Sequence, residues 1–261
     1  MAMCAVVRMV LMDLGIRGAK ALVIGGSRGL GFGVAQALVD EGVEVAIAAR
    51  NALAGERAVG ELGSLVRFFS VDLTAPGSPS ELVQRFIDIH GHIDILVLNA
   101  GGPSSASFGQ MSASHIDEAV GSALAPMIEL VEAAAPFMMA RRWGRIVSIS
   151  SYVVREPDPQ MMPSNMARAG LLAYLKAAAL ELARFDVTVN SVLPGLHGTE
   201  RLANLRDAGV DLDRMLARVP MGRWGEPRDF GRTVASLCAS WAGYITGQAI
   251  AVDGGATRGL L

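Results

Sequence analysis

The chain has 261 residues, of which 51% are hydrophobic and 18% are charged, and its formal net charge is −2 at pH 7. A chain of this composition can bury a large core, which excludes an intrinsically disordered protein. Because there is no basic surplus, we expect neither nucleic acid nor a membrane surface as a partner.

The apolar start of the chain, residues 1–11, is shorter than the roughly 20 residues that a membrane-spanning helix needs. It also lacks a small-residue cleavage site after a longer apolar core, which argues against a signal peptide. We expect a flexible extension over residues 1–11, one domain over residues 12–261 and a cytoplasmic protein. The two cysteines, Cys4 and Cys238, are interpreted as reduced thiols, and the scattered histidines predict no metal site.

Short apolar runs alternate with helical patterns along the whole chain. In chain order, the predicted strands are Ala21–Ile24, Val43–Ala48, Val66–Val71, Ile93–Leu98, Arg145–Ile149, Thr188–Leu193 and Gln248–Val252. Between them, helices are predicted over Gly31–Glu41, Ala52–Glu61, Ser78–His90, Ser112–Arg141, Pro163–Phe185, Glu200–Arg218 and Glu226–Ala239. Strands that are apolar throughout are typical of parallel sheets covered on both faces. The pattern predicts an α/β fold: a doubly wound seven-stranded parallel sheet (Rossmann fold) in a single domain.

A glycine-rich turn joins the first strand to the first helix. Glycines at such a turn let backbone N–H groups approach a pyrophosphate, which then lies at the positive end of the helix. Because the turn follows a strand and opens a helix, it predicts a dinucleotide site. The predicted binding residues are Gly25, Ser27, Arg28, Gly29, Leu30 and Gly31.

The second strand is followed by Arg50 and Asn51, where an acidic residue would favour the ribose diol of NAD. Arg50 instead offers charge to a 2′-phosphate, and Arg28 in the glycine turn offers more. The sequence therefore favours NADP(H) over NAD.

At this point several ordered motifs resemble the short-chain dehydrogenase/reductase family, most closely the one-domain branch that includes the 3-oxoacyl-carrier-protein reductases. The resemblance extends over nearly all of the chain from Met12. The motifs that carry it are Gly25-x-x-x-Gly29-x-Gly31, Val71-Asp72-Leu73, Asn99-Ala100-Gly101, Gly144-Arg145-Ile146-Val147 before Ser150-Ser151, Asn190, Pro194-Gly195 with Thr199, Tyr244-Ile245-Thr246-Gly247 and Asp253-Gly254-Gly255.

The resemblance implies roles for the matching residues. It places Asp72 at the edge of the adenine ring with Leu73 beside it, and Asn99, Ala100 and Gly101 beneath the cofactor. It places Pro194, Gly195 and Thr199 at the nicotinamide end. It also implies a homotetramer, or a homodimer, assembled through the two long helices, Ser112–Arg141 and Pro163–Phe185.

The sequence departs from the family at three of its four catalytic positions. The family uses an Asn, a Ser, a Tyr and a Lys, and here only the Ser is retained, as Ser151. The Asn position matches Ala123, the Tyr position Ser164 and the Lys position Arg168. A serine hydroxyl is far less acidic than a phenol whose pKa is near 10, and an arginine does not release its proton. Proton transfer by the usual tyrosine is therefore absent.

The substituted residues still form a pattern that suits carbonyl chemistry. Ser164 and Arg168 are four residues apart on one predicted helix and share a face, with Ser151 expected beside them. These three groups could polarise a carbonyl, with the proton supplied by water, by Tyr152 or by His197, whose ordinary pKa suits proton transfer. Arg155 and Arg168 would suit an anionic group on the substrate or, alternatively, the phosphates or ribose of the cofactor.

Three functions remain open on these observations. The first is an NADP(H)-dependent oxidoreductase that transfers hydride to or from a carbonyl or alcohol carbon of a small molecule. The second is a non-redox enzyme on the same scaffold, such as a lyase, isomerase or dehalogenase. The third is a non-catalytic cofactor-binding protein, suggested by the missing Tyr and Lys.

Overall fold

The computed structural model describes residues 12–207 and 209–259. Its one sheet has seven parallel strands in the order β3-β2-β1-β4-β5-β6-β7. The strands are β1 (Lys20–Ile24), β2 (Glu44–Ala49), β3 (Val66–Ser70), β4 (Ile95–Leu98), β5 (Gly144–Ile149), β6 (Val187–Pro194) and β7 (Ala249–Val252). The predicted single-domain Rossmann fold is confirmed. The predicted N-terminal extension, residues 1–11, lies outside the described residues.

Helices connect the strands and cover the sheet. They are α1 (Gly29–Asp40), α2 (Ala52–Leu62), α3 (Ser78–His90), α4 (Ala113–Ala119), α5 (Ala125–Arg141), α6 (Met162–Leu182), α7 (Glu200–Asp207), α8 (Leu212–Leu216) and α9 (Pro227–Leu237).

The alternation of side chains along β1 shows how the sheet divides the core. Ala21 and Val23 pack with α1, α2 and α9 on one face, whereas Leu22 and Ile24 pack with α3, α5 and α6 on the other. Both faces are apolar because each is covered by helices, which is why the strands could be read from uninterrupted apolar runs. Cys238 lies in the first of these cores, where burial raises the pKa of its thiol to about 12.

The long helix predicted over Ser112–Arg141 is interrupted. A π-helical turn, Val120–Leu124, separates α4 from α5. Pro126 supplies a physical reason, because its ring clashes with the carbonyl four residues earlier and it cannot donate the regular helical hydrogen bond. The prediction of one uniform helix was wrong at this point.

The single helix predicted over Glu200–Arg218 was also wrong. The structure has two short helices, α7 and α8, with Gly209 between them at a φ of +78°. Asp211 caps α8 by accepting a hydrogen bond from the Arg214 N–H at 2.9 Å. A left-handed glycine followed by an N-cap ends one helix and starts another.

The stretch Ala113–Arg141 has the length and apolar composition of a membrane-spanning helix, and 44% of its most apolar window is buried inside the protein. A core helix has the same two properties. The stretch packs against α3, α6 and the sheet, which accounts for its composition.

Candidate functional site

The glycine turn lies where the strand order reverses. Strands β1 and β4 are paired in the middle of the sheet, and their connections leave in opposite directions, which creates a crevice at their carboxyl ends. Gly25 follows β1 with a φ of +64°, and Asn99 follows β4. The Asn99 amide donates to the Gly25 carbonyl at 3.3 Å. This bond fixes the two loops against each other at the crevice.

The turn is built for close approach. A Cβ atom at Gly25 would lie 2.6 Å from Nδ2 of Asn99, and one at Gly31 would collide with the Gly25 carbonyl. Helix α1 begins at Gly29, just after Ser27 and Arg28 and just before Leu30, and no side chain caps its first N–H groups. An uncapped helix start with N–H groups facing a crevice is a place for an anion.

Two arginines flank this helix start. Arg28 is 71% exposed and its Nη1 lies 3.7 Å from Oε2 of Glu200 at the start of α7. Arg50 follows β2 and is exposed. Asn51, the next residue, uses its side-chain oxygen to cap α2 by accepting from the Ala54 N–H at 2.9 Å. The crevice therefore has a positively charged rim beside the first two strands.

Asp72 and Leu73 follow β3, the next strand outward. Oδ1 of Asp72 accepts hydrogen bonds from the Thr74 N–H at 3.0 Å and from the Thr74 hydroxyl at 2.8 Å. These two bonds, with a contribution from the charge of Arg50, hold the pKa of the Asp72 carboxyl below its ordinary value. Leu73 is partly buried against the core. The pair forms the outer wall of the crevice.

The loop after β6 closes the opposite side. Pro194 ends β6, and the Gly195 N–H donates to the Val252 carbonyl of β7 at 3.0 Å. Thr199 lies opposite the glycine turn, since a Cβ atom at Gly29 would be 3.6 Å from Cγ2 of Thr199. The predicted cofactor residues after β1, β4 and β6 thus surround one crevice.

Arg168 is the centre of a hydrogen-bond network behind the crevice. Its Nε donates to Oγ of Ser164 at 3.1 Å, and Nη1 donates to the Ser150 carbonyl at 3.1 Å and the Ile149 carbonyl at 3.5 Å. Its Nη2 donates to the Ala100 carbonyl at 3.3 Å. One guanidinium therefore joins α6 to the carboxyl ends of β4 and β5.

Ser151 lies at the end of β5, directly after the Arg168-bound carbonyl of Ser150. It caps the 3₁₀ turn Tyr152–Val154, and its Oγ accepts from the Val153 N–H at 3.4 Å. Ser164 is only 3% exposed. The hydrogen-bond network of Arg168 thus includes the Ser164 hydroxyl and the carbonyl of Ser150, the residue directly before Ser151.

Ala123, which the sequence matched to the family's catalytic Asn, lies inside the π-helical turn. It is 1% exposed and packs with Ala119 and Ala167. An alanine methyl group offers no hydrogen bond. The polar group expected at this position is replaced by a small apolar cluster.

The two candidate proton donors differ in their surroundings. Tyr152 opens the 3₁₀ turn and is partly exposed, and its carbonyl accepts from the Arg155 N–H at 2.9 Å. His197 is 7% exposed, with Nδ1 3.2 Å from the Gly195 carbonyl and its ring edge-on to Phe230 at 5.1 Å between centroids. Burial lowers the pKa of His197, so the ring is neutral at pH 7. Its contacts are those of a packing residue.

A polar cleft that the sequence did not point to lies beyond the 3₁₀ turn. It has a volume of about 300 Å³ and is lined by Glu156, Arg218, Ala256 and Arg258. Arg155, which the sequence suggested for an anionic group, donates instead to the Ala249 carbonyl of β7 at 2.6 Å. No sequence motif predicted this cleft, because its residues come from three segments that are distant in the sequence. Among the described residues, no group of three His, Cys, Asp or Glu side chains converges as metal ligands.

Comparisons with known proteins agree with this geometry. The family described as enoyl-(acyl carrier protein) reductase matches residues 24–257. The chain is 32% identical over 249 residues to the 3-oxoacyl-(acyl-carrier-protein) reductase of Chlamydia pneumoniae, covering 94% of this chain and 100% of that protein. It is 34% identical to the same reductase of Chlamydia muridarum, covering 90% of this chain and 96% of the other.

A solved structure with the same fold is L-sorbose reductase from Gluconobacter frateurii, which was crystallised with NADPH and L-sorbose. The TM-score is 0.87 at 27% identity, and the match covers 95% of this chain and 100% of that chain. Similarity at this level extends over the crevice and both long helices.

Proposed function

The chain belongs to the short-chain dehydrogenase/reductase family and is an NAD(P)-dependent reductase, and from this premise we propose that it is NADP(H)-dependent and reduces a small carbonyl compound with Ser151, Ser164 and Arg168. The observation that carries the proposal is the 3.1 Å hydrogen bond from Nε of Arg168 to Oγ of Ser164. Because an arginine N–H always donates, Oγ of Ser164 accepts here and must direct its own hydrogen elsewhere.

The cofactor fits the residues present. The uncapped start of α1 would hold the pyrophosphate, because Gly25 and Gly31, which lack side chains, leave the backbone open to close approach. Asp72 and Leu73 would border the adenine, Asn99, Ala100 and Gly101 would lie beneath the cofactor, and the residues Pro194, Gly195 and Thr199 would contact its nicotinamide end. When bound, the nicotinamide supplies or accepts the hydride at the substrate carbon.

The preference for NADP(H) rests on charge. No acidic residue follows β2, whereas Arg50 follows it and Arg28 precedes α1, so a 2′-phosphate would meet two guanidinium groups. The ion pair between Arg28 and Glu200 is exposed and weak, so a phosphate can compete for Arg28. Asn51 retains its amide N–H₂ for the ribose while its oxygen caps α2.

The chain's own residues act on the substrate oxygen. Oγ of Ser151 accepts from the Val153 N–H, so its hydrogen, like that of Ser164, is available to a substrate oxygen. Two hydroxyl donors backed by the fixed charge of Arg168 would stabilise the negative charge that develops on that oxygen. Serine and arginine hold their protons near neutral pH, so water supplies the proton that completes the alcohol.

This arrangement sets an expectation for rate. General acid–base assistance contributes about 10²- to 10⁴-fold. A site that relies on oxyanion stabilisation, with water as the proton source, is expected to turn over more slowly than relatives that have the tyrosine. It is also expected to favour reactive carbonyls such as aldehydes and keto esters.

A non-catalytic cofactor-binding role is favoured by one observation. Arg168 donates to three main-chain carbonyls, those of Ala100, Ile149 and Ser150, which is what a purely structural clamp would do. No contact in the described residues favours the third possibility, a lyase, isomerase or dehalogenase.

One experiment separates the two candidates. Purified protein is mixed with NADPH or NADH and a panel of aldehydes, ketones and keto esters, and alcohol formation is followed by mass spectrometry. We expect NADPH-dependent reduction that is lost in a Ser151→Ala, Ser164→Ala double variant. Ser114→Ala, an exposed serine on α4, is the matched control and should leave the rate unchanged. Tight NADPH binding with no reduction of any panel member would favour the non-catalytic role.

We further propose a homotetramer, or a homodimer, formed through α5 and α6. Leu180 on α6 is 72% exposed, although the two helices are joined at 2.5 Å by the Tyr174 hydroxyl and the Glu132 carboxylate. Light scattering after size exclusion should give a multimer that Leu180→Lys weakens. A monomer at micromolar concentration would overturn this assignment.

A further inference from the structure

The cleft beyond the 3₁₀ turn brings two arginines together beside the candidate site. Arg218 follows α8 and Arg258 belongs to the C-terminal tail, and both line the 300 Å³ cleft with Glu156 and Ala256. Ser151 and Glu156 are the two sides of one short turn, since the Glu156 N–H donates to the Tyr152 carbonyl at 3.1 Å. A molecule with its carbonyl at Ser151 could therefore extend into the cleft.

The backbone around Arg258 is fixed by two carboxylates. Glu156 accepts hydrogen bonds through Oε1 from the Arg258 N–H and, at 3.0 Å, from the Gly259 N–H. Asp253 accepts from the Gly255 N–H at 2.9 Å and the Thr257 N–H at 2.8 Å. Because these bonds use the backbone N–H groups of the tail, replacing the Arg258 side chain leaves them in place.

The backbone around Arg218 is fixed as well. Its N–H donates to the Met215 carbonyl at 3.1 Å, and Val219, the next residue, is 4% exposed. The Met221 N–H donates to the Gly254 carbonyl of the tail at 3.2 Å. Arg218 and Arg258 are therefore presented to the cleft by two segments that are bonded to each other.

The charges of the cleft are not balanced internally. Its one acidic lining residue is Glu156, and one oxygen of this carboxylate accepts hydrogen bonds from the Arg258 and Gly259 N–H groups. These bonds hold the pKa of the Glu156 carboxyl below its ordinary value. Within residues 12–207 and 209–259, neither Arg218 nor Arg258 forms an ion pair. Among the residues that line the cleft, two guanidinium groups therefore face one carboxylate, while the carboxylate of Asp253, outside the lining, lies close enough to act on the pKa of Glu156.

We propose that Arg218 and Arg258 form an oxyanion subsite that binds a terminal carboxylate or phosphate of the substrate, at the end remote from the reacting carbonyl. A guanidinium presents paired N–H donors that match the oxygens of either group. This inference rests on the proposed function, because it gives the substrate class of that same site. Glu156 is a positioning residue in it, acting through the tail.

The test compares pairs of substrates in which one member carries an anionic group and the other does not. The probes are straight-chain keto acids of increasing length with their methyl esters, and dihydroxyacetone phosphate with dihydroxyacetone. NADPH-dependent reduction is measured for the native chain and for Arg218→Gln, Arg258→Gln, both together and the charge-retaining Arg218→Lys. Arg214→Gln is the control, because this exposed arginine lies on α8 and does not line the cleft.

We expect kcat/KM of the native chain to be higher for the charged probe of each pair, and each glutamine variant to lower it about tenfold for that probe. The neutral probes should change less than twofold, Arg218→Lys should retain most of the preference, and Arg214→Gln should behave as the native chain. Whether a carboxylate or a phosphate gives the larger effect identifies the anion.

A second readout needs no turnover. Binding of glutarate and of glycerol phosphate is measured by calorimetry on the full chain, with and without NADPH. Anion binding that the double glutamine variant abolishes, in a protein that reduces no carbonyl, would uphold the subsite and overturn the proposed function. Equal rates for acids and esters, with no anion binding, would overturn the subsite and leave the reductase assignment intact.

Discussion

Two arginines, Arg145 near the amino ends of the parallel strands and Arg168 near their carboxyl ends, both donate hydrogen bonds to main-chain carbonyls. Arg145, at the start of β5, is 2% exposed, stacks on Trp143 at 4.5 Å, and donates to main-chain carbonyls, including those of Asp186 at 3.1 Å and Ala239 at 3.4 Å. Arg168, at the carboxyl edge, also donates to main-chain carbonyls but adds the Ser164 hydroxyl. Among these hydrogen bonds, the one to the Ser164 hydroxyl has no counterpart at Arg145.

Under the proposed function, that difference would separate a residue that serves stability from one that serves the chemistry. Burial lowers the pKa of Arg145, because taking its charge out of water costs free energy. The hydrogen bonds that it donates to main-chain carbonyls offset this cost. Arg168 is partly exposed and donates to the hydroxyl of Ser164. The same residue type thus bonds only to main-chain carbonyls at one edge and bonds also to a hydroxyl at the other, where we propose that it orients a donor.

The largest effects on stability and on rate are expected when each of the two arginines is replaced separately by methionine. Arg145→Met should lower the free energy of unfolding by about 3 kcal/mol, because it leaves several buried carbonyls without donors. Arg168→Met should lower kcat by about 10²- to 10³-fold with a smaller loss of stability, since water can reach part of that site. Urea unfolding and NADPH-dependent rates measure the two effects. Equal stability losses with unchanged kcat in Arg168→Met would erase the distinction.

The next effect concerns the hydroxyl that Arg168 directs. Ser164→Ala should reduce kcat by about 10²-fold, as removal of one oxyanion donor does elsewhere, with little change in the dissociation constant of NADPH. Initial rates and cofactor fluorescence titration supply both numbers. A rise in the NADPH dissociation constant with an unchanged kcat would show that Ser164 serves the cofactor instead.

A smaller effect is expected at the charged rim of the crevice. An Arg28→Gln, Arg50→Gln double variant should weaken NADPH binding about 10- to 100-fold while NADH binding changes little, because only NADPH carries the 2′-phosphate. Titration with both cofactors at fixed ionic strength tests this. Arg232→Gln, exposed on α9, is the control. Parallel losses for NADPH and NADH would contradict the assignment of these arginines to the phosphate.

The smallest effect is a pH dependence shared by the two edges. Burial lowers the pKa of His90 near the amino edge and of His197 near the carboxyl edge below 6.5. Between the folded and unfolded pKa values, the unfolded chain binds more protons, so stability rises with pH there. Stability should therefore fall as pH drops below about 6.5, the ordinary value for histidine.

Urea unfolding between pH 7 and pH 5 measures this dependence. His90→Gln and His197→Gln should each flatten it relative to the native chain. Unchanged slopes in both variants would refute it.

The fold was readable from the sequence because both faces of the sheet are buried. Runs such as Ile95–Leu98 are apolar at every residue, and no alternative element suits four consecutive buried side chains between helical patterns. The sequence also contains signals for the break after α7, because glycine commonly ends a helix and aspartate commonly caps the start of the next one, as Gly209 and Asp211 do here. The single helix predicted there gave these two residues too little weight.

The candidate site was readable only in part. The spacing of Ser164 and Arg168 predicted a shared helix face, but it did not show that Arg168 also reaches Ala100, 68 residues earlier. His197 looked available for proton transfer, but it is buried because Phe230, from α9, packs against its ring. Arg218 and Arg258 carry no motif at all. Long-range packing decided each of these three outcomes.

The partners of Arg168 give the site an unusual tolerance to mutation. The three carbonyls that it binds, those of Ala100, Ile149 and Ser150, belong to the peptide backbone, so replacing these residues changes the side chains but leaves the acceptors in place. Substitutions at these three positions should therefore leave the hydrogen bonds of Arg168 in place. A library randomised at these three positions should keep cofactor binding in most of its folded members.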